Sequence, residues 1–276
     1  MAVPLEDVSV EIHKGDDIMT ITSILENTTK RADMQAEHGL GLYIESNGQR
    51  ILFDMGQTDL FSENARALGI DLSCVDIAVL SHGHYDHGGG LRKFLEINDH
   101  APVYVHKDAF LPHYNGVQKY IGLDTDLINN PRIIFTDGEK RIGDGLCLYT
   151  FNEKERLYDV PASGLNEKSG EEFIADDFRH EQYLLLEENG KRVLISGCSH
   201  KGILNIAGWI RADVIVGGFH FSKLPLDDYL IMAAKELGKY PAQFYTCHCT
   251  GMEQYEFMSQ YMDNLHYLPC GEKIEV

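Results

Sequence analysis

Between positions 81 and 90 the chain reads Ser81-His82-Gly83-His84-Tyr85-Asp86-His87-Gly88-Gly89-Gly90, which puts three imidazoles and a carboxylate within six positions. Imidazole nitrogen together with carboxylate oxygen suits zinc, iron or manganese better than calcium or magnesium, which favour oxygen alone. Glycine lets the backbone reverse without steric cost, so His82 and His84 can face one ion while Asp86 and His87 face a neighbour. A water held between two divalent ions is acidified from about 15.7 toward neutrality. The resulting hydroxide attacks a carbonyl or phosphoryl centre, and Asp86 is placed to orient the nucleophile and take a proton. A His-rich surface loop is the competing reading, but clustered histidine and aspartate need partners to offset their desolvation.

Such a loop needs a scaffold. Short β-branched runs predict strands at 18–25, 40–46 and 50–54, the last two joined at Asn47-Gly48, a strong hairpin signal. A buried strand at 76–81 leads directly into the loop, and a helix at 90–97 and a strand at 102–106 follow it. Periodicity weakens over 107–180, which reads as an insertion, a lid that shapes substrate choice. Regular alternation returns with strands at 182–187, 192–197, 214–219 and 243–247 and helices at 60–68, 202–211, 227–237 and 254–262. One layered α/β domain over 1–276 accounts for this order, since no linker-like stretch divides the chain.

Composition narrows the partners. Hydrophobic residues at 43% and charged residues at 24% are those of a globular chain. Lys+Arg is 24 against Asp+Glu 43, a net charge of −19 that repels phosphate backbones and anionic lipid. The expectation is a small-molecule substrate, no nucleic acid and no membrane, with a homo-oligomer left open. No run reaches the roughly 18 apolar residues of a span, and residues 1–17 lack the basic start and apolar core of an export signal. The six cysteines are scattered, as expected of reduced thiols in a cytoplasmic protein.

His-x-His-x-Asp-His after a strand ending in Ser81, with the upstream run Ile51-Leu52-Phe53-Asp54-Met55-Gly56, resembles the metallo-β-lactamase superfamily, over nearly the whole chain. The resemblance implies an αββα four-layer sandwich with a dinuclear metal site at one edge of the two sheets. It implies that Asp54 orients a ligand by a hydrogen bond, where a strand-end turn is the alternative. Ser196-Gly197-Cys198-Ser199-His200 ends a strand where the superfamily usually carries an aspartate shared by both metals. Cys198 at that position is a departure: it is a thiolate ligand, or a small residue beside a binding His200. His180 stands at about the superfamily's usual separation before that place, so His180 and His200 both claim the first metal. Flanking glycines and the helix that follows favour His200, because His180 sits in a charged run.

The segment Tyr245-Thr246-Cys247-His248-Cys249 offers His248 to the second metal, with its cysteines pointing away along an extended chain as packed thiols. His220 and His38 are candidates for substrate contact, while His100, His106, His113 and His266 read as structural or solvated. The ligand set expected is therefore His82, His84, Asp86, His87, His200 and His248, holding two divalent ions, with zinc ahead of iron or manganese.

A narrower likeness rests on Glu37-His38-Gly39-Leu40, Gly197-Cys198-Ser199-His200, Gly217-Gly218-Phe219-His220 and His248-Cys249-Thr250-Gly251. These resemble the branch named for 7,8-dihydropterin-6-methyl-4-(β-D-ribofuranosyl)aminobenzene-5′-phosphate synthase. The leading expectation is a dinuclear metal-dependent hydrolase of a small-molecule ester, lactone, thioester or phosphoester. Its rivals are the synthase's C–N condensation with release of pyrophosphate, a di-iron redox protein, and a metal-binding domain without catalysis.

Overall fold

The computed structural model describes residues 18–276. The reading of residues 1–17 as lacking an export signal lies outside the described residues. Side chains in a strand alternate between faces, and along the strand Gly41–Ser46 Leu42 and Ile44 enter one apolar cluster while Tyr43 enters another. The same division holds in Lys191–Ile195, where Val193 and Ile195 face one cluster and Leu194 a third. Strands buried on both faces read as continuous apolar runs, as this sequence does at its strong strands. Each buried Val, Leu or Ile contributes about 1.5–3 kcal/mol of transfer free energy.

The alternation builds four layers. One seven-stranded sheet runs in the order Lys273–Glu275, Thr20–Leu25, Gly41–Ser46, Gln49–Phe53, Ile77–Val79, Val103–His106, Ile133–Thr136. The other runs Leu265–Tyr267, Gln243–Thr246, Val214–Gly217, Lys191–Ile195, Tyr183–Glu188, Leu146–Tyr149, Lys140–Gly143. Ile21, Ile44, Phe53 and Val79 of the first meet Leu184, Leu186, Val193 and Val216 of the second in the central core. Helices Leu60–Ala67 and Leu91–Ile97 cover the outer face of the first sheet. Ile203–Trp209, Asp228–Leu237 and Met252–Met258 cover that of the second. The result is the αββα sandwich the motifs implied. At the Asn47-Gly48 turn both residues have positive φ (51° and 70°) and Ser46 pairs with Gln49, the geometry of a two-residue hairpin loop.

The stretch 107–180, expected to be one insertion, divides instead. Ile133–Thr136 completes the first sheet, and Lys140–Gly143 and Leu146–Tyr149 extend the second. These four-residue strands at or next to the sheet edges are half exposed and punctuated by Gly138, Gly143 and Gly145, so they are too short to show a pattern in the sequence. Only the flanks form a separate four-stranded sheet, ordered Glu172–Ala175, Leu165–Ser169, His113–Asn115, Lys119–Tyr120. Two short strands near the C-terminus, Leu265–Tyr267 and Lys273–Glu275, were not expected. Among the described residues no helix is long and apolar enough to cross a membrane.

Parallel pairing puts the carboxyl ends of Gln49–Phe53 and Ile77–Val79 in one row, and those of Lys191–Ile195, Val214–Gly217 and Gln243–Thr246 in another. Asp54, the 81–87 loop, Cys198, His220 and His248 all follow those ends. In open α/β sheets this is where ligands bind.

Candidate metal centre

Asp54 is wholly buried and anchors the loop. Its Oδ1 accepts the Ser81 N–H at 2.7 Å, and its Oδ2 accepts the Ser81 hydroxyl at 2.7 Å and His87 Nδ1–H at 2.7 Å. An ionised carboxylate only accepts, so His87 Nδ1 carries a proton and Nε2 is the nitrogen turned toward Cys198. The Ser81 oxygen, having donated to Asp54, accepts from His82 Nδ1 at 2.8 Å and turns that ring the same way. His87 Nε2 then lies 3.1 Å from Cys198 Sγ.

Around Cys198 the two sheets contribute one cluster. Ligand-capable atoms of His82, Cys198 and His200 lie within 4.8 Å of one another, as do those of His87, Cys198 and His248. The thiol thus belongs to two triads at once, the place for a ligand shared by two ions. The His84 ring stands 4.5 Å from that of His82 and 5.1 Å from that of His200. Asp86 Oδ2 is 3.5 Å from His248 Nε2, 3.9 Å from His87 Nε2 and 3.1 Å from His38 Nε2. Buried polar atoms are ordinarily paired, yet His82 Nε2, both ring nitrogens of His200 and His248 Nε2 make no hydrogen bond. Orphaned lone pairs converging beside a thiol and a carboxylate are what a bound divalent cation requires.

The electrostatics agree. Burial, reinforced by the neighbouring rings, holds His82 and His200 far below the ordinary imidazole range, and burial does the same to His84. Neutral imidazole is the ligating form. His87 is the exception: burial opposes its charge, but the Asp54 and Asp86 carboxylates overcome it and push the ring up to about 9, so Nε2 must give up a proton before it can ligate. Burial likewise opposes charge on Asp86, where His87, His248 and His38 together win and hold it well below the carboxylate range. Burial raises Cys198 well above an ordinary thiol, so it becomes a thiolate only when a cation arrives.

The two claimants for the first ion differ in their partners. His180 has both nitrogens engaged: Nδ1 accepts the Gly83 N–H at 2.9 Å and Nε2 lies 3.3 Å from Asp176 Oδ2. His200 has neither, and its ring stacks on Phe178 at 4.3 Å. The geometry therefore favours His200. His38 is exposed, with Nδ1 3.2 Å from Asn27, and the His220 ring lies 4.3 Å from that of His200.

Several expectations change. Gly83, Gly88, Gly89 and Gly90 keep ordinary φ; the left-handed residues at the site are Asp54 (φ 59°), Ser199 (59°), His220 (57°) and His248 (50°). Such backbone costs about 1–3 kcal/mol each and gathers at functional sites. The loop glycines serve close approach, for a Cβ on Gly83 would stand 2.1 Å from the Ala109 carbonyl oxygen. His248–Thr250 is a 3-10 turn, not an extended run, so alternation is not what turns the cysteines away. Cys247 packs in the central core, while Cys249 Sγ lies against the Cys198 carbonyl at 3.5 Å and accepts the His220 N–H at 3.3 Å. His113, read as structural or solvated, is buried beside the site: His84, His113, Asp176 and His180 have ligand-capable atoms within 4.8 Å of one another. Its weakly patterned surroundings carried no signal of this. Asn27 was also missed. Its Oδ1 lies 2.9 Å from His248 Nδ1, and the polar run Glu26-Asn27-Thr28 after an apolar strand was the available clue.

Comparison with known proteins adds to the geometry. The family model of the metallo-beta-lactamase superfamily matches residues 37–206. An uncharacterized protein of Methanocaldococcus jannaschii is 31% identical over 264 residues, spanning 92% of this chain and 99% of its own. The 7,8-dihydropterin-6-methyl-4-(beta-D-ribofuranosyl)-aminobenzene-5'-phosphate synthase of the same organism is 26% identical, over 96% of this chain and 99% of its own. Among solved structures, Tm1679, described as a metal-dependent hydrolase of the beta-lactamase superfamily, superposes with a TM-score of 0.80 at 30% identity, covering 94% of this chain and 99% of that one.

Proposed function

Because the chain belongs to the metallo-beta-lactamase superfamily, we propose that it is a metal-dependent hydrolase of a small-molecule ester, lactone, thioester or phosphoester. The observation that carries this reading is the set of buried, unpartnered imidazole nitrogens around Cys198. His82, His84 and His200 would hold one divalent ion and Asp86, His87 and His248 the other, with Cys198 shared between them. Nitrogen and sulfur donors favour zinc. When bound, such ions acidify water and polarise a carbonyl or phosphoryl oxygen.

The chain's own residues do the rest. Asp86, ionised and facing three imidazoles, is placed to orient the attacking water by accepting its hydrogen bond. Asp54 and Ser81 fix the tautomers of His87 and His82. His38, exposed beside Asp86, and His220, beside His200, would contact an anionic or carbonyl group of the substrate. The net charge of −19 selects against polyanions and so for a small substrate.

The similarity to Tm1679 supports hydrolysis, and the likeness to the named synthase supports a second reading, condensation of an arylamine with loss of pyrophosphate. Metal analysis of the purified protein with a panel of esters, lactones and phosphoesters tests the first. Turnover of a panel member that is lost in Asp86→Asn supports it. Pyrophosphate released only with an amine co-substrate, and no panel turnover, would favour the synthase.

A further inference from the structure

Three of the candidate ligands have the ring nitrogen remote from the ions held by a fixed partner. His82 Nδ1 meets the Ser81 hydroxyl at 2.8 Å, His87 Nδ1 meets Asp54 at 2.7 Å and His248 Nδ1 meets Asn27 at 2.9 Å. His84 lacks such a partner: its Nε2 is buried without a hydrogen bond. Beside it, ring centroids 5.5 Å apart and planes at 77°, stands His113 of the lid strand His113–Asn115. His113 Nδ1 lies 2.8 Å from Asp176 Oδ2, and an acceptor-only carboxylate places the proton on that nitrogen. His113 Nε2 therefore keeps a lone pair, and it too is buried without a partner.

Asp176 follows the other lid strand, Glu172–Ala175, and is itself held from two sides. Its Oδ1 accepts the Phe178 N–H at 2.8 Å, and its Oδ2 faces His180 Nε2 at 3.3 Å. His180 Nδ1 in turn accepts the N–H of Gly83, the residue before His84. Within this group the two atoms left over are one donor-capable nitrogen of His84 and one acceptor nitrogen of His113.

We propose that the lid pair His113–Asp176 positions His84, by accepting the His84 Nε2 proton on His113 Nε2 and so leaving His84 Nδ1 free to bind the first ion. The inference rests on the dinuclear reading, and it ties the lid sheet to that one ion. Histidine ligands are oriented by such partners, whose loss typically costs about 10–100-fold in metal affinity.

The test is titration of the metal-free, full-length protein with Co(II), following equivalents bound, the visible ligand-field spectrum and affinity against a competing chelator. The variants are His113→Gln, whose amide oxygen can accept the His84 proton, His113→Met, which has no comparable acceptor, and Asp176→Asn. The expected result is two equivalents throughout, with one site weakened about 10–100-fold in His113→Met, its ligand-field bands shifted, and most of the loss restored in His113→Gln. Unchanged affinity in His113→Met overturns the proposal, as does equal weakening of both sites. So does a third equivalent that His113→Met loses, which would make the four-residue group a cation site of its own. Wild-type protein that binds no cobalt would instead remove the dinuclear premise, an outcome distinct from the others. Circular dichroism on each variant separates loss of fold from loss of affinity, and the Gln–Met contrast decides where stability falls in both.

Discussion

Asp54 Oδ2 stands 2.7 Å from Nδ1 of His87 with both side chains wholly buried, and the same carboxylate receives the N–H and the hydroxyl of Ser81. An aspartate in left-handed backbone thus accepts three donors and sets two imidazole tautomers. Asp54→Asn replaces an accepting oxygen with an NH2 that confronts one of those donors. It should weaken the ion held by His87 by about 10–100-fold and lower stability by about 1–3 kcal/mol. Chelator competition and urea unfolding read the two effects. Unaltered metal affinity would mean that Asp54 is only a turn residue.

Cys198 belongs to both triads, whereas His248 belongs only to the groups with His87 and with Asp86. Cys198→Ser should therefore weaken both ions and abolish the sulfur-to-cobalt charge-transfer band of the Co(II) protein. His248→Ala should cost one ion and keep that band. Binding to the wild type should also release the buried thiol's proton, which a weakly buffered titration detects. Retention of the band in Cys198→Ser would exclude the thiolate as a ligand.

The scaffold was legible wherever strands are buried on both faces, because Ile51-Leu52-Phe53 and Val193-Leu194-Ile195 leave no polar alternative. The site was legible at strand ends with dense donors, as at His82 to His87. Short edge strands such as Ile133–Thr136 were not, since four residues show no period. Nor was the setting of His113, because the Asp176 that turns its ring lies 63 positions away in a charged run. His200 and His180 could not be separated by spacing, since their difference lies in hydrogen bonds made to Gly83 and Asp176.

That difference gives a direct test. His200→Ala should lose the first ion, because neither ring nitrogen has a hydrogen-bond partner to explain its burial. His180→Ala should keep both ions bound while costing about 1–3 kcal/mol for the stranded Gly83 N–H and Asp176. Metal stoichiometry after dialysis, read beside thermal unfolding, decides. The reverse pattern would hand the first position to His180.

His106 offers a pH dependence away from the ions. Burial outweighs the nearby Asp108 and Asp137 carboxylates and pushes its imidazole from 6.5 down to about 4, while Nδ1 accepts the Asp108 N–H at 3.2 Å. Between those values the unfolded chain carries a proton that the folded chain does not. Stability present above 6.5 is thus lost as pH falls toward 4, at no more than about 1.4 kcal/mol per unit. His106→Asn keeps an acceptor for Asp108 without the titration. Urea midpoints of the two proteins should diverge as pH falls from 6.5, with wild type declining the more steeply. Parallel curves would show that His106 is not held neutral.

Two glycine substitutions separate stability from site geometry. A Cβ on Gly83 would lie 2.1 Å from the Ala109 oxygen and 2.8 Å from its carbonyl carbon, and backbone cannot swing aside. Gly83→Ala must therefore push the His82–His84 segment away from residue 109, at about 1–3 kcal/mol of overpacking. A Cβ on Gly48 meets nothing within 4 Å, but φ there is 70°, so Gly48→Ala costs about 1–2 kcal/mol of left-handed strain in the hairpin turn. Both variants should unfold at lower temperature. Only Gly83→Ala should also lose affinity for the first ion, because it displaces two ligands of that ion and the N–H that holds His180. Equal metal affinity in the two would show that the loop's close contact with residue 109 does not set the ligand geometry.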